Sequence, residues 1–264
     1  MSERLDAYLV SKGLAASRER AKTLIKEGKV TVNGKVASKP SITVTDNDDI
    51  SAGSDLAYVG RGALKLIKAI ETFGIDLKDR VCADIGASTG GFTQVMLEMG
   101  ARKVYAVDVG HGQLAASLRE DPRVINMEGT NVRELTASDF DEPVTFMSVD
   151  LSFISLTLVA EKLVSLLAEG GEMAVLIKPQ FEAGRKALNG SGIVKDAKEH
   201  IRVLTELTEC FTSLGAALKG LTYSPVKGGS GNIEYLAHLA KGGESSIFDI
   251  KALVNDAFSD LRGK

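Results

Sequence analysis

The chain is poor in the residues that build disulfide frameworks, metal centres and membrane spans. Its 264 residues include two cysteines, Cys82 and Cys210, and three histidines, His111, His200 and His238. Two cysteines are too few for a disulfide scaffold or a zinc site, and each sits among apolar neighbours, where a buried reduced thiol belongs. No two histidines have the spacing of metal ligands on one helix face, so no metal is expected. No apolar run approaches the roughly 18 residues that a membrane-spanning helix needs. The first residues, Met1-Ser2-Glu3-Arg4-Leu5-Asp6, carry acids where a secretion signal would be basic and then apolar. A cytoplasmic protein with no membrane partner is therefore expected. Neither an internal repeat nor a low-complexity segment interrupts the chain, and the sequence leaves the oligomeric state open.

What is present suits a soluble globular protein with one large domain and one small one. The net charge of −3 is unevenly spread. Residues 1–39 hold nine Lys/Arg against four Asp/Glu, a balance of +5, so the remainder carries −8. A basic head on an acidic body points to a polyanion-binding module joined to something else.

Within the head, residues 2–28 have the spacing of two short helices, with Leu5, Tyr8 and Leu9 on one face and Ala21, Leu24 and Ile25 on another. Ser17 is a suitable N-cap for the second helix and Gly28 ends it. Val30-Thr31-Val32-Asn33-Gly34-Lys35-Val36 is an alternating strand, an Asn-Gly hairpin turn and a second strand. A further short strand is expected over Ser41–Val44, and Asp49-Ile50 closes the unit. Arg4, Arg18, Arg20, Lys22, Lys26 and Lys29 are the candidate contacts to a phosphate backbone. The order of these pieces, Arg4-Leu5-Asp6, Ser17-Arg18, Leu24-Ile25 and Gly28 to Gly34, resembles the small RNA-binding domain shared by ribosomal protein S-four, pseudouridine synthases and tyrosyl-tRNA synthetases. The boundaries read as 1–51 for this domain, 52–60 for a linker with Ala52, Gly53, Ser54 and Gly60, and 61–264 for the rest.

The larger part alternates strand and helix. Strands are expected at Arg80–Ile85, Lys103–Val107, Val124–Met127, Val144–Asp150, Glu172–Ile177, Ala217–Tyr223 and Ile233–Leu239. Helices are expected at Gly91–Met99, Gln113–Arg119, Leu156–Leu167, Lys198–Leu214 and Ser246–Leu261. This pattern implies an α/β, Rossmann-like doubly wound sheet, mostly parallel, with an antiparallel final strand.

In such sheets ligands sit beyond the carboxyl ends of the strands. The first strand ends in Asp84-Ile85-Gly86-Ala87-Ser88-Thr89-Gly90-Gly91, where glycines let a ligand approach the backbone. The spacing is not the G-x-G-x-x-G of dinucleotide sites, which favours a nucleoside cofactor without a pyrophosphate. Asp108 ends the second strand, 24 residues on, where a carboxylate can accept from a ribose diol. Asp84 is expected to face a positive sulfonium or amino group, and Asn131 to lie near an adenine amino group. In this order the residues point to S-adenosylmethionine (AdoMet).

Four ionisable residues stand at strand ends or helix starts: Lys65 after Gly60-Arg61-Gly62, Asp150, Lys178 in Lys178-Pro179-Gln180-Phe181-Glu182, and Glu234. A ribose hydroxyl is a poor nucleophile and needs a base near its oxygen. A lysine serves when burial and a second cation favour its neutral form. The methyl donor is already activated, so alignment for in-line attack is the main task left. Phe181 and Tyr223 are candidates to stack on an extruded base or else ordinary core residues. The Gly-, Ala- and Asn-rich stretch Glu182–Val194 has the composition of a flap that orders on RNA.

Residues 60–240 resemble the FtsJ-like ribose methyltransferases, whose Lys-Asp-Lys-Glu tetrad is matched in order by Lys65, Asp150, Lys178 and Glu234. The whole chain resembles the TlyA-type family of ribosomal RNA 2′-O-methyltransferases, often labelled hemolysins. That resemblance implies AdoMet-dependent methylation of cytidine riboses in ribosomal RNA, with ribosomal RNA or ribosomal subunits as partners. One departure is Leu56-Ala57-Tyr58-Val59 where other members tend to have Arg and Trp, which puts the coupling of head and cofactor site in question. Three other readings stay open: a non-catalytic RNA-binding assembly factor, a cytolysin as the family label suggests, and a dehydrogenase on the fold alone.

Overall fold

The computed structural model describes the chain except residues 1, 12–13, 16–17, 46–47, 53–57, 61 and 262–264, and the side chains of Val10, Glu19 and Arg20. Ser17, Arg61, the Arg20 side chain and the linker residues Gly53, Ser54, Leu56 and Ala57 thus lie outside the described residues. The chain divides into two compact units, Met1–Arg61 and Gly62–Lys264.

In the first unit, β1 (Glu3–Arg4) leads into α1 (Leu5–Ser11), followed by α2 (Arg18–Lys26), β2 (Val30–Val32), β3 (Lys35–Val36), β4 (Thr43–Val44) and β5 (Ile50–Ala52). β2 pairs antiparallel with both β3 and β5, and β1 pairs with β4. The hairpin turn forms where expected: Asn33 and Gly34 have φ of 51° and 74°, which is the left-handed pair that an Asn-Gly turn supplies. Leu5, Leu9, Leu24, Ile25 and Val30 close over one small core. Ala52, read as linker, is the last residue of β5.

The second unit opens with α3 (Ala63–Phe73), stopped by Gly74 in the left-handed conformation at φ 66°. Then come β6 (Val81–Ile85), α4 (Gly91–Glu98), β7 (Lys103–Asp108), α5 (Ala116–Arg119), β8 (Val124–Glu128) and β9 (Val144–Val149). The chain continues through α6 (Ala160–Leu166), β10 (Leu167–Ile177), α7 (Pro179–Glu182), α8 (Ala197–Ser213), β11 (Ala216–Tyr223), β12 (Tyr235–Lys241) and α9 (Ile250–Asp260). One seven-stranded sheet runs β11-β12-β10-β9-β6-β7-β8. Only β12 is reversed, pairing antiparallel with β10 and β11. All five residues of β6 are buried, the continuous apolar pattern of a parallel strand covered on both faces. α8 lays His200, Val203, Leu204, Leu207 and Phe211 onto the sheet at helical spacing, capped by Asp196, whose carboxylate accepts from the Lys198 N–H at 2.9 Å.

Several elements differ in extent from the sequence reading, among them β10, which starts at Leu167 rather than Glu172, and α9, which is shorter at both ends. Helix Gln113–Arg119 starts only at Ala116, because the Gln113 and Leu114 N–H groups donate instead to the Glu128 carboxylate at 2.6 and 3.0 Å. Helix Leu156–Leu167 breaks at Val159 (φ −125°) into a 3₁₀ turn, Leu156–Leu158, and α6. The last strand starts at Tyr235, so Glu234 stands just before it.

Candidate active site

The central strands β6, β9 and β10 end together, with Ile85 paired to Val149 and Val149 to Val175, so the segments beyond them converge. After β6 the chain turns through Gly86 to Gly91. Gly86 has φ 88°, and a Cβ there would lie 2.3 Å from the Asp150 carbonyl oxygen. Conformation and close approach both demand glycine at that position. The Gly90 N–H closes the turn on the Ala87 carbonyl at 2.8 Å.

Asp84 does not reach the cavity. It is fully buried beneath the turn, where one oxygen accepts from the Thr93 N–H (2.8 Å) and hydroxyl (2.7 Å), and the other from the Ser148 hydroxyl (2.9 Å). Burial pushes its carboxyl up to about 6, against the pull of those hydrogen bonds. Asp84 therefore ties the start of α4 to β9 rather than facing a ligand.

Beyond the strand ends lies a cavity of about 560 Å³, lined among others by Gly86, Ser88, Asp108, Gln113, Asn131 and Asp150. Four of the eight expected cofactor residues, Gly86, Ser88, Asp108 and Asn131, thus line it, whereas Asp84, Thr89, Gly90 and Gly91 do not. Asp108 is held by the Ser88 and Gly110 N–H groups, each at 2.7 Å, one on each oxygen. Asn131 also caps a short turn, accepting from the Arg133 N–H at 3.1 Å.

The four tetrad residues form two ion pairs. Lys65, on the first turns of α3, reaches Glu234 with Nζ 2.6 Å from Oε2, and their side chains are 11% and 3% exposed. Lys178 Nζ pairs with Asp150 and donates to Ser152 Oγ at 2.8 Å. Pro179 keeps Lys178 extended (φ −116°, ψ 97°) and opens α7, so the ammonium projects from the strand end. Ile177 pairs with Tyr235 across β10 and β12, which sets Lys178 and Glu234 at the next facing positions. Gln180 Nε2 donates to Glu234 Oε1 at 3.3 Å.

Ser152, Gln180, Gln113 and Glu182 belong to this site although the sequence reading gave none of them a role. Their one signal in the sequence was proximity, since Ser152 and Gln180 each stand two residues beyond a tetrad member. Phe153 was also passed over. It is 91% exposed at φ 64°, lines the cavity, and its ring lies 5.0 Å from that of Phe181. Tyr223 is engaged elsewhere, hydrogen-bonded to Asp260 of α9. The Glu182–Val194 stretch is tied down as well: Asn232 is fully buried, accepting from the Val194 N–H and donating to the Gly192 carbonyl, both at 3.0 Å.

In the first unit Arg4 and Arg18 both engage the buried Asp6, at 2.9 and 3.0 Å, and hold its carboxyl down at about 2. Lys22 and Lys26 line a groove of about 490 Å³ with Gly28, Ser38 and Pro40, and Lys29 pairs with Glu27 at 3.4 Å.

A mostly parallel seven-stranded sheet, a glycine turn after its first central strand and a ligand-sized cavity beyond it define a Rossmann-like methyltransferase. The chain belongs to the FtsJ-like methyltransferase family, which residues 58–241 match, and residues 3–50 match the S4 domain. It is 44% identical over 270 residues to YqxC of Bacillus subtilis (strain 168), covering 99% of this chain and 96% of that one. It is likewise 44% identical over 238 residues to the 16S/23S rRNA (cytidine-2′-O)-methyltransferase TlyA of Mycobacterium tuberculosis (strain CDC 1551 / Oshkosh), covering 89% of each. A solved structure of a hemolysin-labelled protein from Streptococcus thermophilus is similar with TM-score 0.77 and 43% identity, over 99% of this chain and 97% of that one. Among the described residues no helix is long and apolar enough to cross a membrane.

Proposed function

We propose that the chain methylates a ribose 2′-hydroxyl of ribosomal RNA, at cytidine, using AdoMet in the cytoplasm. The observation that carries this reading is the Lys178–Asp150 pair at the cavity that Asp150 lines, with Glu234, paired to Lys65, at the position facing Lys178 across the strand ends. The proposed domains are an RNA-binding head over residues 1–51, a linker over 52–60 and the methyltransferase domain over 61–264.

The residues present fit the cofactor. The cavity volume lies within the range of small-ligand sites. Gly86 admits a ligand to the backbone, and the Asp108 oxygens keep lone pairs for a ribose diol beside their backbone donors. When bound there, AdoMet supplies a methyl group on a positive sulfur, ready for displacement. The protein then has to orient the acceptor and take one proton. Lys178 is the base. Its neutral amine would take the 2′-hydroxyl proton as the methyl group transfers, while Asp150 and Ser152 hold the amine's direction. Lys65 and Glu234 set the charge beside it, and Phe153 with Phe181 offers an aromatic shelf for an unpaired base. In the head, Lys22, Lys26 and Lys29 with Arg4, Arg18 and Arg20 would meet phosphates.

Transfer of a labelled methyl group from AdoMet to purified ribosomal subunits, followed by mapping, tests this. The label is expected on the 2′-oxygen of a cytidine, and NAD is expected not to bind. Label on a base, or lysis of cells by the purified protein without any transfer, would defeat the reading.

A further inference from the structure

The loop that follows β9, Leu151 to Ser155, holds much of the site. Ser152 accepts from Lys178, and Leu151, Ser152, Phe153 and Ile154 all line the cavity. The loop also holds Phe153 at φ 64°, a conformation that a bulky side chain keeps only where its surroundings over-determine it. The anchor comes from another element. Glu182, the last residue of α7, accepts from the Ser155 hydroxyl at 2.6 Å and from the Leu156 N–H at 2.9 Å. Burial pushes the Glu182 carboxyl above its usual range, and those two donors are what favour the ionised form.

We propose that Glu182 is a positioning residue for the transfer reaction, clasping the Leu151–Ser155 loop to the strand end that bears Lys178. This rests on the site reading above. Lys178 caps the start of α7 and Glu182 ends it, so one helical turn spaces the base from the loop. Loosening the clasp disturbs the cavity wall, the Ser152 contact and the aromatic shelf together, while the tetrad residues keep their own elements.

The chain contains no tryptophan, so Phe153→Trp places a single indole on the loop. In that background, on the full chain, Glu182→Ala is expected to lower the indole's fluorescence anisotropy and to weaken AdoMet binding about tenfold, the equivalent of one well-made contact. Glu182→Gln is expected to recover most of both, because its amide oxygen still accepts from Leu156 and its N–H₂ can donate to Ser155. Ser155→Ala, which removes one donor only, is expected to give a smaller drop and serves if Glu182→Ala does not fold. Anisotropy and AdoMet affinity equal to the parent in Glu182→Ala and Ser155→Ala would overturn the proposal, whatever happens to the melting temperature. The anisotropy is read without cofactor or RNA, so it decides the clasp even where methyl transfer to RNA fails and sinks the functional reading alone.

Discussion

The two ends of the large sheet are both ringed by paired charges, yet only one end is built as a site. At the amino ends of the strands, Arg102 pairs with Glu142, Lys103 with Asp141 and Glu142, and Arg80 with Glu172. These pairs stand partly in water, with the Arg102 side chain 52% exposed. At the carboxyl ends, Lys65–Glu234 and Lys178–Asp150 use the same residue types, but both lysines and Glu234 are almost wholly removed from solvent. Desolvated charges are costly unless partnered, whereas exposed pairs contribute little. Pairing is therefore common to both ends. A cavity of about 490 Å³ lies at the amino ends too, lined by Arg80, Arg102 and Glu142, so it is the burial of the charges that separates the chemical end from the solvated one.

The most direct way to break that contrast is to remove one lysine from each end. Lys178→Ala is expected to lower methyl transfer by roughly 10³-fold, the range of a positioned general base, while AdoMet and RNA still bind. Single-turnover transfer to ribosomal subunits measures it, and a rate within threefold of the parent would remove Lys178 from the mechanism. The matching Lys103→Ala at the other end is expected to leave the rate unchanged.

Asp84 sharpens the comparison, because it is a buried charge of the carboxyl end with no lysine beside it. Asp84→Ala strands the Thr93 N–H and the Ser148 hydroxyl without an acceptor, and should cost about 3 kcal/mol of stability by denaturant unfolding. A loss under 1 kcal/mol would mean the turn does not depend on it. Asp84→Asn keeps the shape and removes the titration. With the folded carboxyl at about 6 and the unfolded one near 3.8, the native state holds the extra proton between those values. Its contribution is therefore fully present below pH 4 and lost as pH rises through 6, on the order of 3 kcal/mol. The stability of the parent relative to Asp84→Asn should fall across that window, and a flat difference would show that burial does not govern this carboxyl.

How much of this was legible in the sequence follows from how local each feature is. The Asn33-Gly34 turn and the Gly86 turn were readable because their φ values are carried by the residues themselves. That Asp150 and Lys178 stand at strand ends was readable because strand ends fall where periodicity places them, with Pro179 marking one of them, whereas the four-residue set came from the family resemblance. The role of Asp84 was not, since nothing in Asp84-Ile85-Gly86 reveals that Thr93 and Ser148 will satisfy its carboxylate from two other elements. Glu128 took the first turn of α5 in the same way, and Asp6 engages Arg4 and Arg18, a pairing that neither charge nor spacing announced. Hydrogen bonds that cross between elements leave no periodic trace.

The smallest expected effect closes the comparison from the solvated end. Arg102 pairs with Glu142, but Lys103 also reaches Glu142, at 2.6 Å, so the carboxylate keeps a partner when Arg102 is removed. Half of the arginine stands in water, where the ion pair is screened and holding its long side chain in place costs entropy. Arg102→Ala should therefore change stability by about 0.5 kcal/mol or less, and that difference should shrink further when salt is raised to about 1 M. Thermal unfolding at two salt concentrations measures both. A loss of about 2 kcal/mol that persists in high salt would mean that the charge pairs at the amino ends are held as firmly as those around the cavity, and that burial does not distinguish the two ends of the sheet.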